Sequence, residues 1–369
     1  MKMVFWLCVV LVAYTYVGYG VLLWIVSRLR GRPVLRTHNT PNVSIIMAVR
    51  NEAVNLPAKL NNLRLLTYPS DRLQVIVVSD GSIDRTPEIL NENASWVIPV
   101  IVGEARGKAY ALNQAVKRAT GEILVFLDAR QFIESNAVIE LVKCFADPNV
   151  GAVSGELMLE CRPEGDSINS VGGYWKMEKV IRKLESASGS VVGVTGAIYA
   201  IRRDLYSDVP AGTILDDLFV PMHIARMGKR VVFQSSAIAR DRIFHEPGKE
   251  FSRKVRTLTG NYQLIRLAPW LLTTSNPLLF RFVSHKLLRL LIPFLLIAIL
   301  ITSALLTGWG YRAILLLQVV FYTLAAIGRM HPNMRRFRLV SIPTTFVMLN
   351  TAAALAFYNF VVGRNSVWV

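Results

Sequence analysis

Hydrophobic positions fall into two patterns along the 369-residue chain. Val4 to Val26 is an uncharged run of 23 residues, and about 20 apolar residues in a helix cross a hydrocarbon core. Three more uncharged stretches lie toward the other end: Leu290 to Tyr311, Ala313 to Gly328 and Leu339 to Gly363. From Val43 to about Val232, short β-branched runs alternate with amphipathic stretches. The runs "VSIIMAV", "LQVIVVS", "VIPVIV" and "EILVFLD" are punctuated by Gly, Pro, Asn or Asp. That alternation predicts a parallel α/β sheet with covering helices.

The expected order is therefore an anchor over 1–27, a domain over 28–268, an interfacial helix region over 269–289 and a membrane bundle over 290–369. "SNPLLFRFVSHKLLRLL" reads as the interfacial helix, with Lys286 and Arg289 reaching headgroups. The 16-residue stretch ending at Gly328 and the Pro293 in its predecessor leave a re-entrant segment open as an alternative to one span.

Composition sharpens this layout. With 53% hydrophobic residues the chain is too apolar for a soluble domain alone. Lys and Arg gather after the first run (Arg28, Arg30, Arg32), before the second (Arg281, Lys286, Arg289) and between the last two (Arg329, Arg335, Arg336, Arg338). By the positive-inside rule the central domain faces the cytosol and both termini face outward. The long first run lacks a small-residue cleavage site and is read as an uncleaved anchor rather than a signal peptide. The expected location is a plasma (inner) membrane. The net charge of +17 is concentrated at membrane flanks and in phosphate-facing motifs, which points to anionic lipid and a diphosphate rather than nucleic acid. Cys8, Cys144 and Cys161 are too scattered for a disulfide framework or zinc cluster.

Parallel sheets bind ligands outside the carboxyl ends of their strands. Arg50, Asn51 and Glu52 close the first strand, Asp80 the second and Asp128 the fourth. Each has a bland alternative, since Asp before Gly also makes turns and helix caps. Three charged endings in succession favour a binding rim.

Taken in order, "VSIIMAVRNE", "VVSDGSIDRT", "ARGKAYALNQA", "FLDAR", "GTILDDLFVPMHIARMGKRVVF" and "FSRKVRTLTGNYQ" resemble the motifs of inverting family-two GT-A glycosyltransferases, the group that includes cellulose, chitin, hyaluronan and poly-N-acetylglucosamine synthases. The resemblance runs from Val43 to about Gln263 and implies a GT-A, Rossmann-like cytosolic domain with one N-terminal and about three C-terminal membrane helices. It implies a nucleotide-sugar donor, most often a UDP-sugar, contacted by Arg50, Asn51, Glu52 and Asp80. Lys108 would approach the diphosphate, although an exposed helical lysine is the plain alternative.

"FLDAR" stands where the family has Asp-x-Asp, with Arg130 replacing the second acid, so Asp128 is the remaining carboxylate for Mg or Mn. Asp217 takes the place of the general base and Asp216 that of the neighbouring Glu; acids at a helix start are also favoured by the dipole alone. Arg253, Arg256 and Thr257 stand where the polymer synthases carry the Gln, Arg and Trp of Gln-x-x-Arg-Trp. Arg256 would clamp the diphosphate, and Arg253 would sit by acceptor or diphosphate. Tyr174 and Trp175 fit a sugar platform or a core.

Three functional readings follow. One is elongation of a cell-surface polysaccharide, in possible assembly with other polysaccharide-synthesis proteins. Another is transfer of one sugar to a lipid or lipid-linked acceptor. The last is a non-catalytic membrane scaffold.

Overall fold

The computed structural model describes residues 1–160, 168–242 and 247–363. Cys161 and the side chains of Tyr174 and Trp175 lie outside the described residues. An N-terminal helix α1 (Lys2–Leu29) leads into the α/β domain. Its first half alternates β1 (Val43–Val49), α2 (Leu56–Arg64), β2 (Leu73–Asp80), α3 (Thr86–Glu92), β3 (Val97–Val102), α4 (Lys108–Val116) and β4 (Ile123–Leu127). The second half holds β5 (Phe132–Ile133), α5 (Ala137–Val142), β6 (Val150–Glu160), α6 (Ile168–Ala187), β7 (Ile198–Arg202), α7 (Asp216–Arg226), β8 (Arg230–Arg242) and α8 (Pro247–Leu267).

Among the described residues the strands form one sheet in the order β3-β2-β1-β4-β7-β6-β8-β5. The four strands expected from the sequence pair with one another in parallel. Beyond them the sheet is mixed, because β7 runs antiparallel to both β4 and β6. That reversal brings the residues just before Ile198 to the carboxyl end of β4.

Strand side chains alternate between two covered faces. Ile45, Met47, Val75, Val77 and Val125 pack on one side, and Ile46, Ile76, Val78, Leu124 and Phe126 on the other. Burial on both faces is why these strands read as continuous apolar runs.

After the sheet come α9 (Leu279–Leu305), α10 (Trp309–Met330) and α11 (Arg338–Val361); with α1 these four helices are long and apolar enough to cross a membrane. The boundaries correct the sequence reading in two places. The stretch Leu290 to Tyr311 is broken at Gly308, whose φ of +133° suits glycine, and the 16 apolar residues after it belong to a 22-residue helix. The segment assigned to an interfacial helix is continuous with α9, and its polar side faces protein. Arg289 donates to Glu178 Oε2 at 2.7 Å, and His285 lies between Glu178 Oε1 (3.1 Å) and Glu185 Oε1 (2.9 Å).

This buried cluster ties α6 to the apolar helix α9, with Tyr19 of α1 also donating to Glu185 Oε1 at 2.6 Å. Burial alone would raise the Glu178 carboxyl, but His285 and Arg289 outweigh it and hold the group well below the ordinary carboxylate range. Removing one member of such a set strands the others in a dry site. Glu178→Ala is therefore expected to destabilise the protein by about 3–5 kcal/mol, read as a lowered melting temperature in lipid nanodiscs. A variant melting with the parent would show the cluster to be stability-neutral.

Candidate active site

The rim is built from loops that brace one another. Asn51 adopts the left-handed conformation (φ 53°), its Oδ1 accepts from the Ile83 amide at 2.9 Å, and its own amide donates to Ser82 Oγ at 3.1 Å. Asn tolerates this conformation better than most residues. The Glu52 amide donates to Thr86 Oγ1 at 2.9 Å, and Glu52 Oε2 accepts from Asn55 at 2.8 Å. Arg50, at the end of β1, turns its Nε inward without a hydrogen-bond partner.

Asp80 is fully buried, and its two carboxylate oxygens accept the Arg106 and Gly107 amides at 2.8 and 2.7 Å. The expectation assigns Asp80 to the base or ribose. In the fold its oxygens pin the loop that presents Lys108. Gly81 permits this closure: its φ is +61°, and a Cβ there would lie 2.2 Å from the Ala105 amide nitrogen.

Gly107 (φ 92°) opens α4, so Lys108 emerges at its first residue. Lys108 Nζ stands 3.1 Å from Asp128 Oδ1 and 3.4 Å from Asp216 Oδ2. Burial works to lower the Lys108 pKa, but Asp128, Asp216 and Asp217 outweigh it and the ammonium is held above its ordinary value.

Gly196, on the segment leading into β7, is the point where these groups converge. A Cβ placed there would sit 3.6 Å from both Asp128 Oδ2 and Asp217 Oδ2, and 3.8 Å from Lys108 Nζ. The segment is fixed by the Val194 amide donating to the Asp217 carbonyl at 3.0 Å.

A cleft of about 230 Å³ opens here, lined among others by Lys108, Asp128, Asp216, Asp217, Arg256 and Thr257. Asp216 is buried and Asp217 half-buried. Desolvation, then repulsion from Asp216, pushes the Asp217 carboxyl up to about 6. Arg253 lies a helical turn before Arg256, is exposed, and is not among the residues lining this cleft. The fold thus brings Lys108, Asp128, Asp216, Asp217 and Arg256 into one cleft, with Arg50, Asn51, Glu52 and Asp80 on the adjoining β1 and β2 loops.

The loop after Asp128 shows what sequence reasoning misses. Arg130 is committed to Asp241 of β8, which also accepts from Gln131 at 3.1 Å. Beneath them Lys59 of α2, 1% exposed, donates to the Gln131 carbonyl at 2.5 Å. Burial pushes the Lys59 ammonium down to about 7, with Asp128 opposing. Neither Lys59 nor Asp241 belongs to a recognisable motif. The one signal for Lys59 was a lysine on the apolar side of an amphipathic helix.

Helix α8 closes the cleft. Gln263 brackets the loop before α7, accepting from the Ile214 amide (2.9 Å) and donating to the Gly212 carbonyl (2.8 Å). At Gly260 a Cβ would strike Leu215 at 2.7 Å, so the close crossing requires glycine. No group of three or more His, Cys, Asp or Glu able to hold a metal occurs among the described residues.

Comparison with known proteins adds to this geometry. Residues 44–209 match glycosyl transferase family 2. The poly-beta-1,6-N-acetyl-D-glucosamine synthase of Staphylococcus aureus is 24% identical over 244 residues, 64% of this chain and 58% of the relative. That of Staphylococcus epidermidis is 24% identical over 235 residues, 62% of this chain and 56% of the relative. The chain thus spans less than two thirds of the curated relatives it matches. A solved structure, the mannosyltransferase PcManGT from Pyrobaculum calidifontis in complex with GDP-Man and Mn²⁺, is 25% identical, with a TM-score of 0.71 over 97% of this chain and 99% of that one. The mixed α/β sheet with its flanking apolar helices is the GT-A architecture expected from the motifs.

The buried lysine yields a pH test. Its folded pKa near 7 is below that of the unfolded chain, so between about pH 7 and 10 the unfolded state binds more protons and stability rises with pH. Lys59→Met removes this slope. The melting temperature of the parent is expected to gain on that of the variant across this window, whereas parallel curves would show that Lys59 keeps an ordinary pKa.

Proposed function

From the glycosyl transferase family 2 domain that this chain carries, we propose an inverting transfer of a sugar from a nucleoside-diphosphate sugar to a growing carbohydrate chain at the cytosolic face of a membrane. The observation that carries it is Asp217: a carboxylate with its pKa lifted to about 6, aimed at the open space over Gly196, in a cleft that also presents Lys108 and Arg256.

The chemistry follows from that arrangement. The acceptor hydroxyl gives its proton to the Asp217 carboxylate as its oxygen forms a bond to the anomeric carbon. The bond from that carbon to the diphosphate oxygen breaks on the opposite face, which inverts the configuration. The leaving diphosphate carries negative charge into a partly dry cleft, where Lys108 and Arg256 offset it.

Asp128 suits a divalent cation with one protein carboxylate, because Mg²⁺-type sites often complete their shell with phosphate oxygens and water. Its Oδ2 faces the convergence point while Oδ1 is paired with Lys108. The Mn²⁺ in the Pyrobaculum complex supports such an ion here. Asp128 would hold such an ion, whose charge would help offset that of the diphosphate.

The family motifs favour a UDP-sugar. The Pyrobaculum calidifontis mannosyltransferase, similar over nearly the whole of both chains, holds GDP-Man, so a donor panel must include guanosine donors. The Staphylococcus synthases support a polysaccharide product. A lipid-linked acceptor is the second reading, favoured by Thr257, which leaves the cleft wall without the Trp that polymer synthases place there.

Protein in nanodiscs, given radiolabelled UDP- and GDP-sugars with Mg²⁺ or Mn²⁺, is expected to label a product from one donor and to stop in excess chelator. Asp217→Asn should lower kcat by about 10²–10⁴-fold. A base must be deprotonated to act, so kcat/KM of the parent should rise with pH through about 6 and then level. Full activity of the Asn variant would remove Asp217 from the mechanism.

A further inference from the structure

Two tyrosines flank the ring of Phe126 in β4. Tyr199, its antiparallel partner on β7, stacks on it at 4.7 Å between centroids, and Tyr206 stacks at 6.0 Å. Their hydroxyls fare differently. Tyr206 Oη donates to Asn113 Oδ1 at 2.6 Å, whereas Tyr199, 1% exposed, has a hydroxyl with no hydrogen-bond partner. Buried tyrosine hydroxyls ordinarily find one, and a phenylalanine would fill the same space without leaving a polar atom unanswered.

The matching acceptor lies on α7. Asp216 is 4% exposed, and its Oδ2 is likewise without a hydrogen bond. Lys108 Nζ, 3.4 Å away, supplies charge but not hydrogen-bond geometry. Tyr199 packs in the same apolar cluster as Leu215 and Leu218, which flank the Asp216–Asp217 pair. Burial and then the Asp216 charge hold the Tyr199 phenol well above its ordinary pKa, so the hydroxyl keeps its proton and remains a donor.

Lys108 is also the cation that the reading above sends to the diphosphate. Each contact it makes there loosens its hold on Asp216 and leaves a buried carboxylate in need of another donor. We propose that Tyr199 is a positioning residue of the transfer: as Lys108 turns to the diphosphate, the Tyr199 hydroxyl donates to Asp216 Oδ2 in its place and keeps the start of α7, and with it Asp217, where it stands. This rests on the glycosyltransferase reading above and adds a residue to it.

The test is a double-mutant cycle on nucleotide binding, with the full chain in nanodiscs and UDP or GDP plus Mn²⁺ as the probe, whichever the parent binds. Tyr199→Phe keeps the ring stack and loses an unpartnered atom, so its melting temperature without nucleotide should equal or exceed that of the parent. Its Kd for the nucleotide should rise about 10-fold, the worth of one hydrogen bond to a charged group. In an Asp216→Asn background the same substitution should change Kd by less than about 2-fold.

An unchanged Kd overturns the proposal. A variant that fails to fold, or melts lower without nucleotide, does the same, since the hydroxyl is then satisfied before any diphosphate arrives. So does a Kd effect that persists in the Asp216→Asn background, because the hydroxyl then acts elsewhere. A parent that binds neither nucleotide removes the transferase reading itself, and this role of Tyr199 with it.

Discussion

Three carboxylates crowd around one ammonium in the candidate cleft, and the rest of the site is arranged about that imbalance. Lys108 pairs with Asp128 and Asp216, while burial and then repulsion from Asp216 raise the Asp217 carboxyl. Such a cluster would be costly in a dry site if it were not opened to solvent or answered by further charge. The cleft is the opening, and the groups that would enter it are those whose charge the cluster manages. In the proposed transfer, a leaving diphosphate would meet Lys108 and Arg256, and the acceptor proton would pass to Asp217.

Around this centre the fold spends its polar groups on holding loops still. The Asp80 carboxylate, which its position suggests for ligand binding, is used to fix the turn into α4. Arg130, Asp241, Gln131 and Lys59 do the same for the loop after Asp128. The replacement of a second acid by Arg130 thus ends in an internal ion pair. A catalytic arrangement held to fractions of an ångström needs such bracing, because a small misplacement forfeits much of the benefit of proximity.

The long apolar helices take part in this arrangement rather than forming a separate unit. The buried charges of α6 and α9 couple the domain to α1 and the bundle, and α8 joins the cleft wall to α11 through aromatic packing. Buried ion pairs contribute little net stability, but they are demanding in geometry and so fix register. The candidate cleft is thereby tied to the apolar helices.

The sequence by itself determined much of this. The α/β alternation, the four apolar spans and the charged strand endings were all legible, because period, run length and position at a strand end are local properties. The order of motifs also placed Lys108, Asp128, Asp216, Asp217 and Arg256 on the list of site residues. Tertiary structure alone decided how these meet. It showed that Asp80 faces backbone amides, that Arg130 pairs with a residue 111 positions away, and that Lys59 lies under the Asp128 loop. It also turned Arg289 from a lipid-facing flank into a partner of Glu178. Each of these is a pairing between residues far apart in the chain, and the energy of a charge depends on what surrounds it rather than on its neighbours in sequence.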